Sequence, residues 1–384
     1  MKKFIKGIRN FFIKIYVLFL KMLPIKKNRI YFVSNNGRYS CNPKALFEYL
    51  YKNHKNEFDF CYICDKPELL PKDVKTARYK SLKNLYYLYT SKYIVNNFRF
   101  SLYFRKRKKQ TYIQTWHGGP VPMKAIEGAV EDKLNKDYVD KAKIDGRYID
   151  YLTVGSSEIE RYFKKYFWCD GKILNIGTPR YDELINSNEN VVKKAKKQLN
   201  LPLDKKLILI APTFKNNKSP EYDIVDNKKI INIFKEYHNE DVIVAYRFHP
   251  NIAKSINKDM LNDAIDLTWV EDSTSVVFAS DYIITDFSSI AIDGIFAKKY
   301  VIGYSPSIKD YLENERDLWA DFNKYPTQIN EGQENLFNFL KTCKSINKED
   351  VFNKMKKDYG ITEDGHACEN IYNLIIKGEN KWIM

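Results

Sequence analysis

The sequence predicts an α/β protein of two doubly wound parallel-sheet domains, and three observations carry that reading. Short runs rich in Ile, Val and Tyr alternate with helix-length segments, the pattern of βαβ units. The runs fall into two series parted by one polar, helix-favouring stretch, Tyr181 to Lys206. At 384 residues, 44% hydrophobic and 15% aromatic, the chain is too long for one ordinary core and carries the apolar material for two.

Before the first series comes MKKFIKGIRNFFIKIYVLFLKMLPIKKNR, which carries nine Lys or Arg, and no acid occurs before Pro43. On a helix, Lys2, Lys3, Lys6, Arg9, Lys14 and Lys21 share one sector, and Phe4, Ile8, Phe11, Phe12, Ile15, Phe19 and Met22 share the opposite one. Lys14 and Lys21 bound an apolar run of only six residues, against the roughly 20 a membrane span needs. A longer apolar stretch and a small-residue cleavage site, the marks of a signal peptide, are not evident. Residues 1–27 therefore read as an amphipathic helix lying on an anionic membrane surface, with a surface helix docked on its own protein as the alternative. Each basic residue near such a surface adds about 1 kcal/mol. The expected location is peripheral, at the cytoplasmic face of the cell membrane.

The first domain, 28–185, is read from RIYFVSN, FDFCYIC, KYIVNN, TYIQTWH, YLTVGSS and KILNIG. The second, 186–384, is read from KLILIAPT, DVIVAYRFHP, DYIITDFSS and YVIGYSP. Six scattered cysteines show no framework spacing and read as reduced thiols, with Cys61 and Cys64 facing opposite sides of one strand. Lys plus Arg exceed Asp plus Glu by 64 − 48 = 16, a surplus that attracts polyanions. Much of it lies in the N-terminal helix, and the run Arg105 to Lys109 lacks interleaved aromatics. That points to membrane rather than nucleic acid.

In open parallel sheets ligands bind beyond the carboxyl ends of the strands. Those ends hold His117, Ser156 and Ser157, Thr213, Arg247 and His249, and Asp286, Ser288 and Ser289. Two of only five histidines end strands with Gly or Pro directly behind. Ser288 and Ser289 precede a helical run, where free N–H groups form an anion site, or where one serine is simply an N-cap. No GxGxxG follows the first strand and no Walker motif occurs, so dinucleotide and P-loop readings lose their support. No HExxH or paired-cysteine set is present, and no metal or other cofactor is required by the sequence.

Taken together, seven stretches in order resemble the CDP-glycerol glycerophosphotransferases of teichoic-acid synthesis. They are QTWHGGPVPMK (Gln114 to Lys124), NIGTPRYDEL (Asn175 to Leu184), ILIAPTF (Ile208 to Phe214), RFHP (Arg247 to Pro250), ITDFSSIAIDGIFAKKYVIGY (Ile284 to Tyr304), DYLENERDLWADF (Asp310 to Phe322) and EDGHACENIYNLI (Glu363 to Ile375). The resemblance implies a GT-B arrangement: two Rossmann-like domains across a cleft, acceptor on the N-terminal side and CDP-polyol on the C-terminal side. It implies His117 as base and His249 at the diphosphate, with Arg247, Thr213, Asp286, Ser288, Ser289 and Arg316 around the donor. Gly118, Gly119 and Lys124 fall on the acceptor side. Where relatives commonly carry Thr, this chain has Gly119. The implied reaction moves a polyol phosphate, glycerol phosphate first, onto a hydroxyl of an undecaprenyl diphosphate-linked saccharide or growing polymer, releasing CMP. The rivals are a GT-B sugar transferase, which would release UDP or GDP, and a basic nucleic-acid-binding module, which leaves both strand-end histidines without a role.

Overall fold

A computed structural model of the chain describes residues 2–100, 104–121, 123–215, 218–249, 256, 258–315, 318 and 325–377, apart from the side chains of residues 2–6 and 8. The first sheet collects β1 (Lys26–Val33), β2 (Asp59–Ile63), β3 (Lys75–Ala77), β4 (Ser91–Asn96), β5 (Thr111–Gln114), β6 (Tyr151–Val154) and β7 (Lys172–Asn175) in the order β3-β2-β1-β4-β5-β6-β7. The second collects β8 (Lys206–Ile210), β9 (Val242–Tyr246), β10 (Ile265–Asp266), β11 (Tyr282–Thr285), β12 (Tyr300–Ser305) and β13 (Ile329–Glu331) in the order β10-β9-β8-β11-β12-β13. All of these pairings are parallel. Near-continuous apolar runs suit strands covered on both faces, and Ile30, Tyr31, Phe32, Leu207, Ile208 and Leu209 are all fully buried. The strands absent from the sequence reading, β3, β10 and β13, are the short edges of two or three residues.

Strand order reverses between β1 and β4 in one sheet and between β8 and β11 in the other. Loops diverge at such points and leave a crevice beyond the carboxyl ends. The chain passes between units after the helix Pro179–Ile185, since Ala195 of the next helix, Glu189–Gln198, joins Leu207, Leu209 and Val276 in the second core. Tyr181, Leu184, Val121 and Met123 belong to that same cluster, so the units meet through packed apolar surface. Lys44–Asp272 and Lys66–Glu271 ion pairs, both 2.7 Å, add charge contacts between them. The helix Ala367–Lys377 returns to the first unit, where Cys368, Ile371 and Ile375 pack with Ile30, Phe32 and Phe58. The unit expected over 186–384 thus gives its last helix to the first.

The N-terminal helix runs Lys2–Met22. Leu20 is buried, and Tyr16, Val17 and Leu23 pack toward Tyr87, Leu88 and Tyr89 of the helix Leu82–Thr90. Phe11, Phe12 and Phe19 point away and are more than half exposed, at 60%, 63% and 54%, and Arg9 is exposed as well. The side chains of Lys2, Lys3 and Lys6 lie outside the described ones. No helix among the described residues is long and apolar enough to cross a membrane. Cys61 and Cys64 do fall in different core clusters, on the two sides of β2.

Removing the anchor of the last helix tests its structural role. Ile371 is fully buried, so Ile371→Ala is expected to cost roughly 2–5 kcal/mol, read as a lowered midpoint of urea unfolding.

Candidate active site

The two sets of carboxyl ends face one another across a cleft of about 500 Å³. His117, Gly118, Gly119 and Lys124 line it from the first unit, and Thr213, Arg247, His249, Ser288 and Ser289 from the second.

The histidine is delivered by a turn rather than by a strand. β5 stops at Gln114, and Trp116 adopts φ +50°, a left-handed conformation that is strained for a bulky residue. Four hydrogen bonds hold this turn and the loop behind it. Asn42 Nδ2 donates to the carbonyls of Thr115 and Trp116 at 3.0 Å each, the Trp116 N–H donates to Gln114 Oε1 at 2.9 Å, and Ser156 Oγ donates to the Pro120 carbonyl at 2.5 Å. Ser156 also accepts from Ile159 N, so this serine caps a helix and pins the loop.

The His117 ring stacks on Phe98, centroids 4.2 Å apart, with Nδ1 2.9 Å from the Asn97 carbonyl. A carbonyl only accepts, so Nδ1 carries the proton and Nε2 keeps its lone pair. Burial, aided by the Arg180 charge and opposed by the Asn97 bond, brings the imidazole down to about 4. His117 is therefore neutral near pH 7, the state a base requires. Beside it a Cβ at Gly119 would overlap the Tyr181 hydroxyl, so a larger residue there requires that ring to shift.

Arg180 opens the helix Pro179–Ile185 and is 6% exposed. Its Nη1 donates to the His117 carbonyl at 3.2 Å, and its Nη2 to Asp293 Oδ1 at 2.9 Å and to the Tyr181 hydroxyl at 3.2 Å. Tyr181 in turn donates to Asp293 Oδ1 at 2.7 Å. Asp293 belongs to the helix Ile290–Phe296 of the second unit, so this buried pair crosses the interface. The turn before Arg180 is fixed by Glu363, which accepts from Thr178 N at 3.0 and 3.1 Å and from its hydroxyl. Asp182 accepts from Ala367 N at 2.8 Å and Cys368 N at 2.7 Å. The NIGTPRYDEL and EDGHACENIYNLI stretches thus lock together.

In the second unit Asp286 is 2% exposed and does not line the cleft. Its oxygens accept from Thr213 N (2.8 Å), Thr213 Oγ1 (2.7 Å) and Lys215 Nζ (3.0 Å). Expected among the donor-binding residues, it instead ties the loop after β8 to the end of β11. Lys215 also meets Asp223 at 2.8 Å, whose carboxyl is pushed up to about 6 by burial. Ser288 Oγ accepts from Ile290 N at 3.4 Å, a local cap. Arg247 Nη2 donates to the Val270 carbonyl at 3.2 Å, and its buried Nε has no partner among the described residues. His249 is exposed, with its ring 5.6 Å from Phe214. Lys124 bridges to Leu318 through the backbone. Arg316 lies outside the described residues. Sequence reading passed over Asn42, Arg180, Tyr181, Lys215, Asp293 and Glu363. Four of them sit inside the stretches quoted above, but nothing in the pattern separated them from their neighbours.

Two Rossmann-like units closing on one cleft, with a neutral histidine on one lip and arginine and serines on the other, define a group-transfer enzyme of GT-B-like architecture. Its family is also shown: the chain belongs to the CDP-glycerol:poly(glycerophosphate) glycerophosphotransferases, matching over residues 15–377. It is similar to the teichoic acid poly(glycerol phosphate) polymerase of Bacillus subtilis (strain 168), 29% identical over 379 residues, which cover 93% of this chain and 50% of that protein. The Bacillus spizizenii polymerase of the same description is 28% identical over 396 residues, covering 97% and 99%. The chain thus spans about half the length of the first and nearly all of the second. A solved structure of the wall teichoic acid polymerase TagF, a histidine variant soaked with CDPG, superposes with TM-score 0.80 at 26% identity, covering 98% of this chain and 97% of that one. The UDP co-structure of S. aureus MnaA, TM-score 0.53 at 14% identity over 92% of this chain and 98% of that one, shares the fold alone.

Burial pushes the Glu363 carboxyl up to about 8 from 4.5. A raised folded value means the contribution to stability is full below about 4.5 and is lost as pH rises through about 8. Glu363→Gln removes that loss, so the melting temperature of the variant relative to wild type is expected to climb across this window and level off above it. Thermal unfolding of both proteins from pH 5 to 9 checks it.

Proposed function

We propose that the protein transfers glycerol phosphate from CDP-glycerol to a hydroxyl of a lipid-linked saccharide or growing polyol-phosphate chain, releasing CMP, in teichoic-acid or related surface-polymer synthesis. The observation that carries this reading is a neutral His117 with Nε2 unprotonated, facing Arg247, His249, Ser288 and Ser289 across the cleft. Glycerol is favoured over ribitol because relatives named for glycerol phosphate are 28–29% identical to this chain. Those named for ribitol phosphate are 24–25% identical.

In the proposed reaction the acceptor hydroxyl attacks the phosphorus that bears glycerol. His117 Nε2 takes the hydroxyl proton, the bond from that phosphorus to the bridging oxygen breaks, and CMP leaves with the oxygen. Arg247 and His249 meet charge growing on the diphosphate, with the Ser288 and Ser289 hydroxyls beside them. Lys124 and the Gly118-Gly119 turn border the space left to the acceptor. The roles assigned to these residues need no cofactor. Arg247 is suited to its part, since a buried guanidinium N–H without a partner is costly until an anion arrives.

The N-terminal helix fits a place at the membrane surface, where an undecaprenyl diphosphate-linked acceptor is held. One side packs on its own protein while Phe11, Phe12 and Phe19 face outward in a segment free of acids.

Two experiments test the proposal. His117→Ala is expected to lower CMP release from CDP-glycerol by roughly 10²–10⁴-fold with an unchanged circular dichroism spectrum. In the wild type kcat/KM, which reports the free enzyme, should fall only as pH drops through about 4, where His117 gains its proton. Near wild-type turnover by the folded variant would remove the base assignment. Separately, deleting residues 1–24 is expected to abolish co-sedimentation with anionic liposomes, and retained binding would show that another surface makes the contact.

A further inference from the structure

We infer that Arg180 is a positioning residue that ties His117 to the donor-side helix Ile290–Phe296 through Asp293, so that one buried link sets both halves of the site. The inference rests on the reading of His117 as base. Arg180 and Asp293 are 6% and 3% exposed, and their ion pair of 2.9 Å joins the first unit to the second. The same guanidinium donates to the backbone carbonyl of His117 itself, at 3.2 Å. It therefore holds the residue that carries the imidazole, at the end of a turn already strained at Trp116. On the other side, Asp293 stands four residues after Ser289, on the helix those serines begin. A shift of that helix moves Asp293, and Arg180 with it.

The charges around the imidazole make this link measurable. Arg180 is the charged group acting on the His117 ring, while its other neighbours are the Asn97 carbonyl and the neutral rings of Phe98 and Trp116. Arg180 itself faces Asp293, the Tyr181 hydroxyl, the Cys41 thiol at 3.7 Å and the His117 carbonyl. Asp293 also acts on Arg247, which further feels Asp272 and Arg38. Removing the cation and removing its counter-charge must push the imidazole in opposite directions. A packing role alone has no such signature.

The test is a proton NMR titration of the histidine ring resonances, with His117→Ala assigning one of five. In Arg180→Met the proton affinity of His117 is expected to rise roughly ten-fold, and in Asp293→Asn to fall. The double variant, which buries neither charge, is expected to follow Arg180→Met and serves if a single variant fails to fold. Arg180→Lys should retain the wild-type titration while losing turnover, since it keeps the charge and loses the fork. An unchanged His117 titration in Arg180→Met, or in the double variant, overturns the link. Because the titration needs no turnover, its failure is distinct from failure of the base reading, which stands on transfer by His117→Ala.

Discussion

The ion pair between Arg180 and Asp293 is the constraint around which the cleft is arranged. Taking two such charges out of water costs several kcal/mol per ion, and the mutual attraction offsets this only when the remaining hydrogen bonds are made. Here they come from the Tyr181 hydroxyl and the His117 carbonyl, so both must be in place when the units close. That in turn demands a fixed start for the helix Pro179–Ile185. Glu363 and Asp182 supply it by fastening the Thr178 turn and this helix to the C-terminal segment. The last helix packs on the first unit for the same reason: its leading residues are part of the clamp. Gly119 follows too, because the Tyr181 hydroxyl occupies the space a side chain there would need.

How much of this was legible in the sequence depends on the length scale of each feature. Ten strands were readable because apolar runs such as LILI and IYFV have no polar alternative in sheets covered on both faces. The edges β3, β10 and β13 were not, since two or three residues carry no period. Of the strand-end residues, His117, Thr213, Arg247, His249, Ser288 and Ser289 line the cleft. Asp286, reached by the same logic, is bound to the loop after β8, and a carboxylate at a strand end looks alike whether it faces a ligand or two neighbouring loops. Arg180 was hidden differently. It follows a proline at a helix start, and only the fold shows that Asp293, 113 positions away, stands opposite. The helical wheel placed Phe11, Phe12 and Phe19 on one face, but packing by Tyr16, Val17 and Leu20 against a neighbouring helix is a tertiary fact no wheel contains.

The chain's surplus of 16 positive charges says little about the cleft itself. Lys215 is spent on Asp223 and Asp286, and Arg180 on Asp293, so both are neutralised before any ligand arrives. Arg247 differs: among the described residues it has no ion pair, and burial lowers the pKa of its guanidinium despite the fields of Asp272 and Asp293, whereas that of Arg180 is raised. Internal pairs build the walls, and Arg247 is left to line the cleft. That division explains how a cation-rich cleft escapes the self-repulsion its composition implies.

The proposed site, with a diphosphate donor and a histidine base, contains an internal conflict. Burial, aided by the Arg180 charge, drives protons off the imidazole, and a base held at about 4 accepts a proton only weakly. Binding of the proposed donor would resolve this in time rather than in space. Without a donor, burial and the Arg180 charge keep His117 neutral, so it is not lost to protonation near pH 7. When the proposed donor binds, its negative charge enters beside Arg247 and opposes the field that lowered the imidazole. The proton affinity of His117 then rises toward its ordinary range. The base gains strength in the complex where a hydroxyl stands ready to be deprotonated, and remains weak in the empty enzyme.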